Sequence, residues 1–334
     1  MRRLAIVAVL SLFARVALGG QPNCEPPHRI DWPAGHPVWS LCWISPDESD
    51  GVDGSGLELR DVYYKGKLVL RQAGIPLINV DYDPGGCGSY RDWQHTHMDF
   101  EAGNPVGPPG SRYAEPATAP RTVCDHPGTD GGDFQGVAAW KTAEQLELTT
   151  QIQAGPYRYI HKWTFRPDGT IEARVAFTSR FDPCNQKPHN HHAYFRLEIG
   201  ISEDGRDSAE ELTPQRRRFR TEVSRRNDRS GGGVWRVRSK SAQRGYEIIS
   251  PPANGIADAW AVADLWVLAA HDDELDDGGA REGPNGSAVQ LQRYVNGESV
   301  DRASLVLWVH AMDRHDGSVR CRFVGPALKP LGNW

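Results

Sequence analysis

LELTTQIQAGPYRYIHKWTFRPDGTIEARVAFT, residues 146–178, is the stretch whose reading decides the fold class. It holds three runs rich in aliphatic, β-branched and aromatic residues, at 146–153, 157–165 and 170–178. Each run is short, and in TIEARVAFT apolar and polar residues alternate. Successive side chains of a strand point to opposite faces, so alternation of this kind buries one face and wets the other. Between the second and third runs stands Pro167-Asp168-Gly169. Proline presets φ for the start of a turn and glycine accepts positive φ, so the chain reverses there. The stretch reads as consecutive strands joined by tight turns.

The same pattern recurs outward in both directions. LELRDVYY (57–64), Lys65-Gly66 and KLVLRQAG (67–74) read as a hairpin, and HAYFRLEIGI (192–201) and SLVLWVHAM (304–312) as two more strands. Helical periodicity is hard to find in a chain with 35 glycines and 24 prolines. Gly/Pro/Asp-rich connections at 101–136 and 271–286 are expected as long loops. There is no internal repeat and no clear linker. The expectation is an all-β fold, an antiparallel β super-sandwich with long loops.

The first residues, MRRLAIVAVLSLFARVALGG, join a basic start (Arg2, Arg3) to a short apolar run and a small-residue cleavage site at Ala17-Leu18-Gly19. That is the pattern of a signal peptide over 1–19, too short to span a bilayer stably, so the mature protein is expected outside the cell. No later stretch is long and apolar enough for a membrane helix. Cys24, Cys42, Cys87, Cys124, Cys184 and Cys321 form an even set, which in an exported chain predicts up to three disulfides in any of about 15 pairings. No CxxC pair occurs, which argues against a zinc ribbon. A net charge of −5 points neither to nucleic acid nor to an anionic membrane. The basic run RRRFR (216–220) and the acidic run HDDELDD (271–277) read as solvated loops.

KPHNHHAYFRLEIG (187–200) places His189 and His191 on one face of a strand and His192 on the other. Two imidazoles one residue apart are half of a metal site. His310 and His315, in SLVLWVHAMDRHDG, are both candidates for a third ligand, and three neutral imidazoles with open positions suit copper. His95 and His97 in DWQHTHMDF form a rival pair of the same geometry. By itself Tyr157 reads as core packing beside Tyr159, and Glu101 as a loop carboxylate.

Several of these stretches, in the same order, resemble the catalytic domain of copper amine oxidases. QAGPYRYIHKWTFRPDGTIEARV resembles the segment whose tyrosine becomes the quinone cofactor topaquinone, with Tyr157 at that position. HNHHAYFRLEIG resembles the family's His-x-His stretch, which implies that His189 and His191 ligate copper, and LVLWVHAMDRH implies His315 as the third ligand. YYKGKLVLRQAGIPLINVDYDP implies that Tyr82 hydrogen-bonds the cofactor oxygen. FEAGN (100–104) resembles the segment of the catalytic base and places Glu101 there. VCDHPG and VGPALKPLGNW resemble two further family segments.

The resemblance covers about residue 57 to the end. With the signal peptide read at 1–19, it implies a catalytic domain at 57–334 and leaves an N-terminal extension at 20–56. It also implies copper and topaquinone formed from Tyr157 as cofactors, a primary amine and O2 as partners, and a homodimer as the assembly. The implied reaction is oxidative deamination to aldehyde, ammonia and hydrogen peroxide. Pro156 replaces the family's asparagine before the tyrosine, Arg158 its following acid, and Glu101 its aspartate. The alternative is a non-catalytic exported copper- or ligand-binding β-sandwich that has lost quinone formation.

Overall fold

A computed structural model describes residues 20–82, 87–95, 113–125, 134, 136–179, 183–202, 204–212, 216–226, 233–251, 262–278, 289–315 and 321–334. The described residues form two large sheets and three short 3-10 turns, and none forms an α-helix. The 146–178 stretch supplies strands Leu146–Ala154, Tyr157–Phe165 and Ile171–Ser179, paired antiparallel in that order. They lie in an eleven-stranded sheet that also holds Asp207–Glu211, Val234–Ser239, Arg244–Ile249 and Ala327–Gly332.

The second sheet has nine strands. Its middle is Lys67–Tyr82, His189–Ile199, Leu305–His315 and Leu265–Ala269, neighbours in that order. The hairpin read at 57–74 is present: Glu58–Tyr64 turns through Lys65 and Gly66, at φ 48° and 70°, into Lys67–Tyr82. Positive φ at both central residues is the turn whose twist matches two right-twisted strands. The segment 20–56 adds strands Arg29–Trp32 and Trp39–Ile44 to the edge of this sheet.

The two sheets share one core. Trp39, Leu41, Leu59 and Ile78 from one sheet pack in a single cluster with Leu148, Trp163, Phe165 and Val175 from the other. Two indole and phenol groups also bridge the sheets: Trp39 Nε1 donates to Arg166 O at 2.7 Å and Tyr64 Oη to Pro167 O at 3.1 Å. Emptying one such site, as in Trp39→Ala, costs about 3–5 kcal/mol. The strand His189–Ile199 is buried on both faces. His189, His191, Ala193, Phe195 and Leu197 point toward the other sheet. Tyr194 points the other way, into a smaller cluster with Trp266, Leu268, Leu291 and Trp308.

All six cysteines are paired: Cys24–Cys42, Cys87–Cys184 and Cys124–Cys321. Such a set fits an oxidising compartment. Among the described residues no helix is long and apolar enough to cross a membrane. The acidic run departs from the solvated-loop expectation at its end. Asp273 is exposed, but Asp277 is fully buried, where Arg91 grips it through both terminal guanidinium nitrogens. Arg216–Arg220 also departs: Arg217–Arg218 pairs as a short strand and Phe219 is buried.

Candidate metal centre

The strand register builds the site. His189–Ile199 pairs with Leu305–His315 so that His189 stands opposite His315, and on its other side with Lys67–Tyr82 so that His189 stands opposite Tyr82. Directly opposed residues share a face, so His189, His191, His315 and Tyr82 all point into the space between the sheets. Tyr157 enters that space from the opposing sheet.

One ring nitrogen from each of His189, His191 and His315 lies within 4.8 Å of the others, and all three residues are buried. His189 Nδ1 is 2.6 Å from Lys187 O. A carbonyl only accepts, so Nδ1 carries the proton and Nε2 keeps its lone pair. His189 Nε2 and His191 Nε2 face one another at 3.0 Å. Burial, followed by the neighbouring His189, His315 and His192, holds the His191 imidazole well below its ordinary pKa. Buried, neutral, converging imidazoles with one tautomer fixed by a backbone carbonyl fit a copper or zinc ion.

His310, the other candidate for third ligand, lies on the opposite face. It stacks on His192 with ring planes 12° apart, and His192 Nδ1 is 3.0 Å from His310 Nε2. Alternation explains this, since His310 and His315 are an odd number of residues apart on one strand. In the rival pair, His95 Nδ1 is 3.2 Å from Asp53 O, and His97 lies outside the described residues.

Tyr157 is buried, with its hydroxyl 2.6 Å from His189 Nε2. The phenol therefore sits against the nitrogen that His189 turns toward His191. The Tyr82 hydroxyl is 3.0 Å from the Tyr157 hydroxyl and 3.0 Å from Asn185 Oδ1, so its one proton serves either oxygen. Asn185 was not singled out in the sequence. It follows Cys184, whose disulfide to Cys87 holds it beside the strand bearing Tyr82.

The two residues flanking Tyr157 have clear local roles. Gly155 (φ 54°) and Pro156 form the two-residue turn between Leu146–Ala154 and Tyr157–Phe165, with Ala154 opposite Tyr157. Proline suits such a turn because its ring limits φ and no ladder bond is asked of it. Arg158 is buried, and its Nη1 reaches Gly155 O at 3.0 Å and Tyr157 O at 2.9 Å. It ties down the turn that presents Tyr157.

A cavity of about 700 Å³ opens beside Tyr157, lined by Tyr82, Tyr90, Asp92, Trp93, Pro156 and Asn185 among others. Asp92 is the acid of this cavity and was also missed in the sequence; it ends the four-residue strand Ser89–Asp92, too short to show a pattern. Burial raises its carboxyl from 3.8 to about 7, against the opposing pull of a hydrogen bond donated by Tyr159. Burial and the Asp92 charge in turn push the Tyr159 phenol well above its ordinary range. Tyr159 Oη is also 3.5 Å from His191 Nδ1. Glu101, the base implied by the resemblance, lies outside the described residues.

No protein-family model and no curated protein sequence matches the chain. Solved structures do. The fold is similar to that of a copper-containing benzylamine oxidase from Hansenula polymorpha (TM-score 0.65, 14% identity, 98% of this chain, 63% of the other). It is also similar to the Aspergillus nidulans amine oxidase (0.55, 16%, 98% and 55%) and the Pichia pastoris lysyl oxidase (0.57, 13%, 99% and 56%). The chain thus spans less than two thirds of each of these proteins. The likeness is one of fold, and this chain carries a three-histidine group able to hold a metal within that fold.

Proposed function

We propose that the protein is an exported copper-dependent primary amine oxidase, with Tyr157 as the precursor of its quinone and residues 57–334 as its catalytic unit. One observation carries this reading: the Tyr157 hydroxyl lies 2.6 Å from His189 Nε2, within a buried three-histidine cluster at the head of a cavity. The fold shared with amine oxidases supports it. Copper would supply oxygen activation beside the phenol, and the quinone a carbonyl for the amine.

The chain's own residues divide the remaining work. His189, His191 and His315 hold the ion. Tyr82 steers the oxygen of residue 157, and Asn185 positions Tyr82. Asp92 faces the cavity with a pKa of about 7, which suits a group that takes a proton from a substrate carbon near neutral pH and returns it to water. Trp93 and Tyr90 give the cavity an apolar wall for the substrate's carbon chain.

Aerobic addition of copper to metal-free protein should produce a visible quinone absorption and a carbonyl that reacts with phenylhydrazine. Tyr157→Phe should remove both and leave copper bound. A colourless, copper-loaded wild-type protein with Tyr157 unmodified by mass spectrometry sinks the oxidase reading and leaves a copper-binding sandwich. Asp92→Asn and Glu101→Gln separate the two candidate bases: neutralising the true one stops turnover while hydrazine still reacts.

A further inference from the structure

The eleven-stranded sheet also carries a charged face remote from the chemistry of Tyr157. Trp235 and Val237 of strand Val234–Ser239 point into the core, so Arg236 and Arg238 point out. Two rows of outward side chains cross the strands here. Through the register, the first row is Arg218, Glu210, Arg236, Glu247 and Lys329. Its signs alternate and its charges are spent locally: Arg236 reaches Glu210 at 3.3 Å and Glu247 at 3.0 Å, and Arg216 reaches Glu210 at 2.7 Å.

The next row is different. Arg238 has Ser208 on one side and Gly245 on the other, with Leu331 beyond. The two residues directly beside it carry no carboxylate: Asp301 stands beyond Ser208 and is engaged by Arg218. Glu210, which lines the neighbouring hollow, is held low against the opposing pull of burial by Arg216 and Arg236, with Arg238 contributing. Neither Arg238 nor Lys240 makes a side-chain hydrogen bond or an ion pair among the described residues. Gly245 keeps the floor low, since a Cβ there would collide with Val237 O and lie 2.9 Å from Arg238 Cβ.

Arg238 forms a wall shared by two concavities. One, of about 280 Å³, is lined by Arg236, Arg238, Gln243 and Arg244 with Gly245 and Leu331. The other, of about 220 Å³, is lined by Ser208, Glu210, Arg216, Arg218, Arg238 and Lys240. Guanidinium forks suit tetrahedral anions, and alternate residues of a strand repeat at about 7 Å. Anionic groups spaced along a chain could occupy both hollows at once. Aromatic side chains line neither, so there is no platform for stacking nucleobases.

We propose that this face binds a linear sulfated polysaccharide, with successive sulfate groups seated on either side of Arg238. Three closed disulfides fit an oxidising compartment, and sulfated glycans of extracellular surfaces are polyanions that such a face suits. The net charge of −5 makes general attraction to a polyanion unfavourable, so binding requires a local basic face.

The test titrates the full-length protein with heparin between about 20 and 200 mM salt, a range over which counterion release makes affinity fall linearly on logarithmic axes. Arg238→Ser/Lys240→Ser should weaken binding about 25-fold, from about a factor of five for each cation, and flatten the salt slope. Lys65→Asn/Lys67→Ser, in the hairpin of the other sheet, removes the same charge and should leave affinity unchanged. Circular dichroism checks that each variant is folded, and Arg238→Gln alone gives a milder version with a proportionate loss. Absence of heparin binding at the lowest salt, or equal losses in the two double variants, overturns the proposal. Equal affinity for hyaluronan, which carries carboxylates without sulfate, overturns the sulfate assignment. Equal affinity for single-stranded DNA or anionic vesicles overturns the glycan assignment. These readouts need no turnover, so they stand or fall apart from the oxidase reading.

Discussion

Asp92→Asn should make the metal-free protein more stable, and only above mildly acidic pH. The folded carboxyl titrates near 7, against 3.8 when unperturbed, because burial disfavours its charged form. The folded state therefore holds the proton more tightly than the unfolded state. This favours folding in acid: the contribution is complete below pH 3.8 and is lost as pH rises through about 7. The shift of about three units, at about 1.36 kcal/mol each, makes the charged carboxylate a liability of about 4 kcal/mol at pH 8. Asparagine carries no charge and keeps an oxygen to accept the Tyr159 hydroxyl. The variant should match wild type near pH 4 and exceed it by up to about 4 kcal/mol at pH 8. Urea unfolding of both proteins from pH 4 to 8, disulfides intact, measures this, and subtracting the two curves cancels every other titrating group. A difference that does not change with pH, or one that favours wild type at pH 8, refutes the burial argument.

His189→Ala should abolish stoichiometric copper uptake, measured by metal analysis after dialysis, whereas His310→Gln should retain it because that ring lies on the opposite face. Arg91→Met should destabilise the fold by about 3–5 kcal/mol by stranding the buried Asp277 charge, and adding Asp277→Leu should restore most of the loss in denaturant titrations. Gly56→Ala should cost at least about 1 kcal/mol in thermal unfolding, since φ is 67° and the new methyl would overlap the His161 ring. His161→Ala should relieve the steric part of that cost.

The fold was legible because its signals are local. Alternation along 146–178 and the Lys65-Gly66 turn depend on neighbours in sequence, and both stand as read. The His189/His191 pair was legible for the same reason, because strand geometry fixes which side chains share a face. Choosing His315 over His310 needed more than the pattern of one strand. The register shows why: it sets His315 directly opposite His189, a fact of pairing between distant segments.

Asp92, Asn185 and the disulfide partners were not legible. Asp92 owes its character to burial beside Tyr159, and Asn185 to the Cys87–Cys184 link; no spacing rule encodes either. Asp277 misled for a related reason. Its acidic neighbours suggest a solvated run, but one charge in the run meets Arg91 in the interior. Pro156 and Arg158, departures when set against the family pattern, become a turn residue and its clasp once the hairpin is seen.

The three histidines and Tyr157 come from three strands and both sheets, which fixes an order of events in the protein's biogenesis. No segment of the newly made chain carries the complete set. His189 and His191 arrive together, but His315 joins them only after the last long strand has paired, and Tyr157 only after the two sheets have closed face to face. Pairings between distant segments are the slow steps of β-rich folding. A metal held by these three histidines would accordingly be loaded late, on a finished sandwich, and the cavity lined by Asp92, Tyr82 and Asn185 lies beside that site. On the proposed reading of an exported protein, the ion taken up would then be set by what the compartment holding the folded chain supplies, not by what the chain meets while it is being synthesised.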